Sequence, residues 1–106
     1  MSAEKQSILV VEDDPGLQKQ IKWSLEQYGV TTAATREEAI TQLRRQEPAV
    51  VLLDLGLPPD PDGATEGLAA LEQILALAPA TKIIVVTGNL DRNNAVKAVG
   101  LGAFDF

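Results

Sequence analysis

Short apolar runs rich in β-branched residues limit the folds open to this chain more than any other feature of its sequence. Three of the four runs are continuous, and such a run is typical of a strand that is buried on both faces, as in a parallel sheet. The second run is less apolar than the others. The runs cover residues 8–11, 30–34, 49–53 and 82–86.

Helical patterns fill the intervals between these runs. In the first interval Leu17, Ile21, Leu25 and Tyr28 recur at three- and four-residue spacing. This spacing predicts an amphipathic helix, which we expect Gly29 to end. The other apolar stripes, which predict three further helices, lie within residues 39–43, 68–78 and 95–99.

The resulting order, βαβαβαβα, predicts an α/β fold. Residues 103–106 extend this order as the start of a fifth strand. Strands that alternate with helices through short connections form a parallel sheet with helices on both faces, joined by right-handed crossovers. A chain of 106 residues has room for one such domain.

Composition excludes several classes of function. The chain has no histidine and no cysteine, which removes Ser-His-Asp and Cys-His catalysis, disulfides and zinc sites built on imidazole or thiolate. Its 9 basic and 15 acidic residues give a net charge of −6, so we expect no direct binding to nucleic acid. No apolar run approaches the ~18 residues of a membrane span. Residues 1–7 have no signal-peptide core, and a cytoplasmic protein is expected.

Polar side chains follow three of the predicted strands. Glu12 and Asp13 follow the first, Asp54 follows the third and Thr87 follows the fourth. In an open parallel sheet, ligands bind beyond the carboxyl ends of the strands, at the point where the strand order reverses. If the first and third strands are neighbours, the carboxylates converge on one pocket with a hydroxyl beside them.

Charge repulsion makes such a group of carboxylates informative. Two like charges ~4 Å apart repel by about 4 kcal/mol at an effective dielectric constant of ~20, so the group requires either a proton or a cation. Ligands that are all oxygen favour a hard cation, Mg²⁺ first and then Mn²⁺ or Ca²⁺. A carboxylate beside such an ion can act as a nucleophile toward a phosphoryl group.

A carboxylate at a strand end can also have a purely structural role. Asp14 stands directly before Pro15 and suits the N-cap of the following helix. Asp54 has no helix to cap at once, because Leu-Gly-Leu-Pro-Pro follows it. A site explains Asp54 better than a cap does.

Four segments of the chain resemble the receiver domain of two-component response regulators. Each segment alone is short, but together they span essentially the whole chain and occur in the family's order at the ends of the predicted strands. The segments are ILVVEDDP at 8–15, VVLLDLGLP at 50–58, IIVVTG at 83–88 and AVGLGAFDF at 98–106.

The resemblance implies a CheY-like, flavodoxin-like doubly wound sheet with strand order 2-1-3-4-5. It makes Asp54 the acceptor of a phosphoryl group that a sensor histidine kinase donates. It also implies an Mg²⁺ cofactor bound by Asp13 as a direct ligand, by Glu12 through water, by Asp54 itself and by the backbone carbonyl of Gly56.

The resemblance assigns two more residues to signalling. Thr87 matches the switch hydroxyl that turns toward the bound phosphoryl group, and Phe106 matches the switch aromatic of strand five. The chain is then a phosphoacceptor rather than an enzyme with a separate substrate. Its output, by this resemblance, is transcription regulation by a DNA-binding domain elsewhere in a longer protein.

The chain departs from the family pattern in two places. It stops at Phe106, before the family's lysine, so we expect residues 1–106 to be a receiver domain truncated within strand five and lacking helix five. The loop from Gly56 to Gly67 is longer than usual and resembles that of PEP-CTERM-box regulators, whose receiver precedes an ATPase and a helix-turn-helix domain of the NtrC type.

Two other functions stay open at this point. One is a degenerate receiver that acts only by docking to proteins, which the intact acidic set disfavours. The other is an aspartyl-phosphate phosphatase of the haloacid-dehalogenase type, which needs an acidic residue where this chain has Gly56. The sequence also leaves open whether the chain forms a homodimer.

Overall fold

Four parallel strands joined by helical crossovers form the fold. A computed structural model describes residues 6–59, 63–86 and 92–104 of the chain. The elements are β1 (Ser7–Val11), α1 (Pro15–Ser24), β2 (Gly29–Ala33), α2 (Arg36–Gln46), β3 (Val50–Leu53), α3 (Thr65–Leu77), β4 (Lys82–Val85) and α4 (Arg92–Leu101).

The sheet has the order β2-β1-β3-β4, and all neighbouring strands are parallel. Val11 lies opposite Ala33 on one side and opposite Leu53 on the other, and Leu53 lies opposite Val85. The carboxyl ends of the strands therefore lie level along one edge of the sheet. This order confirms the predicted doubly wound α/β architecture over the four strands.

The start of the predicted fifth strand lies beside β4. The backbone N–H of Phe104 donates to the carbonyl of Ile83 at 2.7 Å, so the chain after α4 turns back along the sheet. Gly102 makes this turn with a positive φ of 119°, a conformation that glycine adopts at little cost. Asp105 and Phe106 lie outside the described residues.

One face of the sheet carries the main core. Because side chains alternate along a strand, Leu9 and Val11 point to this face, and both are fully buried. Helices α2, α3 and α4 contribute small and branched side chains to the same cluster. These buried helical residues are Ala39, Ile40, Leu43, Ala70, Leu71, Ile74 and Ala98.

The opposite face is buried unevenly, which corrects one prediction. Ile8 and Val10 of β1 are buried, but Val50, Leu52 and Ile84 of β3 and β4 are only half-buried. Burial on both faces is therefore right for β1 and wrong for β3 and β4. The right-handed crossover from β1 to β2 places α1 over those two strands, away from β3 and β4.

Two glycines have roles other than those predicted. Gly29 does not end the first helix, which stops at Ser24; its N–H instead donates to the Gln6 carbonyl at 2.8 Å and begins β2. Gly67 does not end a loop but lies in the first turns of α3, which begins at Thr65. For β2, the hydrogen bond to the distant Gln6 backbone marks where the strand begins.

Candidate functional site

Three carboxylates meet at the carboxyl edge of the sheet. Glu12 and Asp13 follow β1 and Asp54 follows β3, and the strands are adjacent. The backbone N–H of Asp54 donates to the Val11 carbonyl at 2.9 Å, which extends the β1–β3 ladder by one bond. One carboxylate oxygen from each of the three residues lies within 4.8 Å of the other two.

Glu12 is the most enclosed of the three carboxylates. Glu12 is only 7% exposed. Its side-chain Oε2 accepts a hydrogen bond from the backbone N–H of Asp14 at 3.1 Å. Its own N–H donates to the Ala33 carbonyl at 2.9 Å. Glu12 is thus fixed between the ends of β1 and β2, whereas Asp13 and Asp54 are half-buried.

Burial raises the pKa of Glu12 to about 7. The backbone N–H of Asp14 lowers this pKa, while the neighbouring Asp13 and Asp54 raise it further through hydrogen bonds and, for Asp54, through its charge. Burial removes water from the carboxylate, and no cationic side chain among the described residues offsets that loss, so the protonated form of Glu12 is favoured. Near neutral pH the Glu12 carboxyl is therefore partly protonated.

Asp14 confirms its predicted structural role. Its Oδ1 accepts the N–H of Gly16 at 2.8 Å and that of Leu17 at 3.4 Å, so it is the N-cap of α1. This cap satisfies two backbone donors that the helix itself leaves unpaired. It keeps the Asp14 carboxylate out of the acidic cluster.

A side chain of α1 reaches the same loop. The Gln18 side-chain amide donates from Nε2 to the backbone carbonyl of Glu12. Sequence reasoning did not assign Gln18 to the site. No repeating pattern of residues reveals a contact between a helix side chain and a backbone carbonyl six positions earlier.

The segment after Asp54 turns sharply. The backbone N–H of Gly56 donates to Asp54 Oδ1 at 3.0 Å, and Leu55 and Leu57 are fully buried. The peptide bond between Pro58 and Pro59 is cis. Gly56 therefore lies beside the carboxylate, and its N–H makes the contact; the role of its carbonyl as a metal ligand stays a prediction.

Gly67 brings α3 against this segment. A Cβ built on Gly67 would lie 2.6 Å from the carbonyl carbon of Leu55 and closer still to its Cα. Only a glycine leaves room for the backbone of α3 at this distance from the residue after Asp54. The sequence marked Gly67 only as the end of the long loop, and did not reveal the contact that requires a glycine there.

An ion pair holds the first turn of α3 to α2. Arg36 Nε lies 2.6 Å from Glu66 Oε1, and Arg36 Nη1 donates to Gln73 Oε1 at 3.2 Å. Sequence reasoning missed this pair, because the residues are thirty positions apart and belong to different helices.

Two predicted site residues, Thr87 and Phe106, lie outside the described residues. Their switch roles stay predictions. The described part of β4 ends next to β3, where the N–H of Val86 donates to the Leu53 carbonyl at 2.8 Å.

The donor chemistry of the cluster fits a hard divalent cation. Its three side-chain donors, Glu12, Asp13 and Asp54, are carboxylates, the ligands that Mg²⁺ and Ca²⁺ prefer. A cation would offset both the mutual repulsion of these groups and the burial of Glu12.

None of the described helices is both long and apolar enough to cross a membrane.

Comparison with known proteins identifies similar chains. Residues 8–106 match the family described as response regulator receiver domain. The chain is 35% identical over 102 residues to the C4-dicarboxylate transport transcriptional regulatory protein DctD of Rhizobium meliloti, covering 94% of this chain and 21% of that protein. It is 32% identical over 101 residues to the DNA-binding transcriptional regulator NtrC of Salmonella typhimurium, covering 93% and 20%. The chain thus spans about a fifth of the length of these relatives.

A solved structure shares the fold. The crystal structure of a Burkholderia pseudomallei response regulator with a phosphorylated aspartic acid, calcium ion and citrate superposes with a TM-score of 0.84 at 27% identity. The alignment covers 94% of this chain and 57% of that one. Together with the strand order 2-1-3-4, this likeness confirms the predicted CheY-like, flavodoxin-like fold.

Replacing Gly67 tests the close contact with Leu55. We expect Gly67→Ala to lower the free energy of unfolding by about 2–3 kcal/mol, because the added Cβ meets rigid backbone. Gly100→Ala is the matched control, since a Cβ there meets nothing within 4 Å and alanine favours a helix by up to about 1 kcal/mol. Urea unfolding of both variants measures the difference, and equal shifts for the two would contradict the contact.

Replacing Glu12 tests its raised pKa. With a chelator present, we expect the free energy of unfolding of the parent chain to fall relative to Glu12→Gln as the pH rises from 5 to 8. The Glu12 carboxyl has a pKa of 4.5 in the unfolded chain and of about 7 in the folded chain. The stabilisation that the protonated carboxyl gives is therefore fully present below pH 4.5 and is lost as the pH rises through 7. The change is on the order of 3 kcal/mol at most. Parallel pH curves for the two chains in urea titrations would show that the pKa is not raised.

Proposed function

The chain belongs to the response regulator receiver domain family, and from this membership we propose that Asp54 accepts a phosphoryl group from a sensor histidine kinase. The observation that carries the proposal is the cluster of Glu12, Asp13 and Asp54, whose carboxylate oxygens lie within 4.8 Å of one another. The chain has no histidine, so a phosphohistidine donor must lie outside these 106 residues. This requirement fits a partner kinase.

We assign the covalent step to the Asp54 carboxylate. Its Oδ1 accepts the Gly56 N–H, which holds the group in one orientation and leaves Oδ2 to attack phosphorus. The new bond joins Oδ2 to phosphorus as the bond between phosphorus and the donor nitrogen breaks. The proton on the departing imidazole stays with the kinase, and the product is an acyl phosphate. Such transfer depends on position and charge neutralisation more than on covalent machinery.

The same cluster supplies the ligands for a cation. We propose that Asp13 and Asp54 bind Mg²⁺ directly, that Glu12 acts through water, and that the backbone carbonyl of Gly56 completes the protein ligands. The ion, when bound, offsets the repulsion between the Asp54 carboxylate and the incoming phosphoryl oxygens. The calcium ion and phosphorylated aspartic acid named for the similar Burkholderia pseudomallei protein support this proposal.

Glu12 makes cation binding sensitive to pH. Its pKa of about 7, raised by burial, leaves a large protonated fraction in the metal-free chain at neutral pH. A cation must displace this proton, so its affinity increases as the pH rises through 7.

We further propose that Thr87 and Phe106 report the phosphorylated state, as the family resemblance implies. The receiver would then regulate transcription through a DNA-binding output domain in a longer protein and act in the cytoplasm. The names of the relatives DctD and NtrC support this output. We infer signalling rather than turnover of a separate substrate, because the proposed reaction leaves the chain itself modified.

Phosphorylation by a small donor tests the assignment of Asp54. We expect the chain incubated with acetyl phosphate and Mg²⁺ to gain one phosphoryl group by intact mass, and Asp54→Asn to gain none, because an amide oxygen is a poor nucleophile. Asp14→Asn is the matched control, since Asp14 caps α1 outside the cluster and asparagine is an equally good cap. Labelling of Asp54→Asn equal to that of the parent chain would overturn the assignment.

The cation requirement tests the role of Asp13. We expect Asp13→Asn to raise the Mg²⁺ concentration for half-maximal phosphorylation by about tenfold or more, because a charged ligand is lost. A series of acetyl phosphate reactions at increasing Mg²⁺ measures this concentration. An unchanged Mg²⁺ requirement would show that Asp13 is not a ligand.

A further inference from the structure

Gln18 is attached to both ends of the segment that carries Asp13. Its side-chain Nε2 donates to the Glu12 carbonyl, and its backbone N–H donates to the Asp14 carbonyl at 2.9 Å. One residue of α1 thus holds the residue before Asp13 and the residue after it. Gln18 is half-buried, whereas its neighbours Leu17 and Lys19 are exposed.

The carbonyl that Gln18 binds belongs to the peptide group between Glu12 and Asp13. A peptide group is planar and rigid, so a hydrogen bond to its oxygen also orients the N–H of Asp13. On the strand side, the N–H of Glu12 is already fixed on the Ala33 carbonyl. With the Gln18 bond in place, little rotation remains at the backbone that directs the Asp13 carboxylate toward Asp54.

We propose that Gln18 is a positioning residue for the cation site, and this inference rests on the proposed function. The amide donor holds the Glu12–Asp13 peptide so that the three carboxylates are ordered before a cation binds. Without the donor the carbonyl bonds to water, and the segment must lose freedom on binding, which weakens affinity. Mutation of a residue that orients a metal ligand commonly lowers the affinity for the metal by 10–100-fold.

A role in helix stability alone would behave differently. Gln18 lies in the first turns of α1, and a residue that only stabilised this helix would alter the unfolding transition. It would leave the affinity of the folded chain for a cation unchanged. Cation affinity measured well below the unfolding temperature therefore separates the two roles.

The test measures binding of Mn²⁺ alone by the EPR signal of the free ion. Gln18→Met keeps the length of the side chain and its neutrality but removes the donor. We expect the Mn²⁺ dissociation constant to rise about tenfold. Gln20→Met is the matched control, because Gln20 is an exposed glutamine of the same helix, and we expect its dissociation constant to equal that of the parent chain.

A second variant covers a failure of the first to fold. Gln18→Glu also lacks a donor at neutral pH, but it adds a negative charge near the site, which by itself would strengthen cation binding. Weaker binding by Gln18→Glu supports the positioning role despite that charge. Unchanged or stronger binding by folded Gln18→Met overturns it. If only Gln18→Glu folds, binding no weaker than that of Gln20→Glu, which adds the same charge to the same helix, overturns it.

The parent chain separates this inference from the proposed function. If it binds Mn²⁺ and Asp13→Asn does not, the proposed cation site stands, and the Gln18 variants alone decide the inference. If the parent chain binds no Mn²⁺, the proposed cation site fails and the role of Gln18 fails with it.

Discussion

The pairing of β1 with β3 sets like charges side by side, and the rest of the site is arranged around that repulsion. Val11 lies opposite Leu53, so the residues that follow them are held as neighbours by the sheet. Repulsion between the carboxylates destabilises this edge of the sheet. The backbone hydrogen bonds and the buried apolar side chains of β1 and β3 offset that destabilisation. Burial of Glu12 then raises its pKa to about 7, and the proposed cation would relieve the same repulsion.

The loops around the cluster are fixed by contacts made outside it. Asp14 caps α1, Gly67 allows α3 to approach Leu55, and Arg36 pairs with Glu66 in the first turn of α3. Each contact holds a backbone segment that leads into or out of the acidic edge. Reactive groups on short loops keep their geometry because packed helices hold the loop ends.

The composition of the chain and the placement of its acidic residues together limit the chemistry that it could carry out. The chain offers carboxylates at an edge of the sheet, but it has no histidine to carry a phosphoryl group on nitrogen. Its length is about a fifth of that of the relatives DctD and NtrC, in which such a module is one part of a longer regulator. In the function proposed above, the receiver would change its own covalent state, and other parts of a longer regulator would respond to that change.

The sequence by itself determined the order of the strands and helices, the cap at Asp14 and the three carboxylates of the site. These features depend on local periodicity, on capping chemistry and on the rule that parallel strands end at one edge. Only the tertiary structure decided that Gly29 begins β2, that β3 and β4 are buried mainly on one face, and that Gln18 and Gly67 reach the loops of the site. The pKa of Glu12 was also beyond the sequence, because it depends on burial and on Asp54, forty-two positions away. Contacts of this kind join segments that are distant along the chain, and no local pattern of residues encodes their distances.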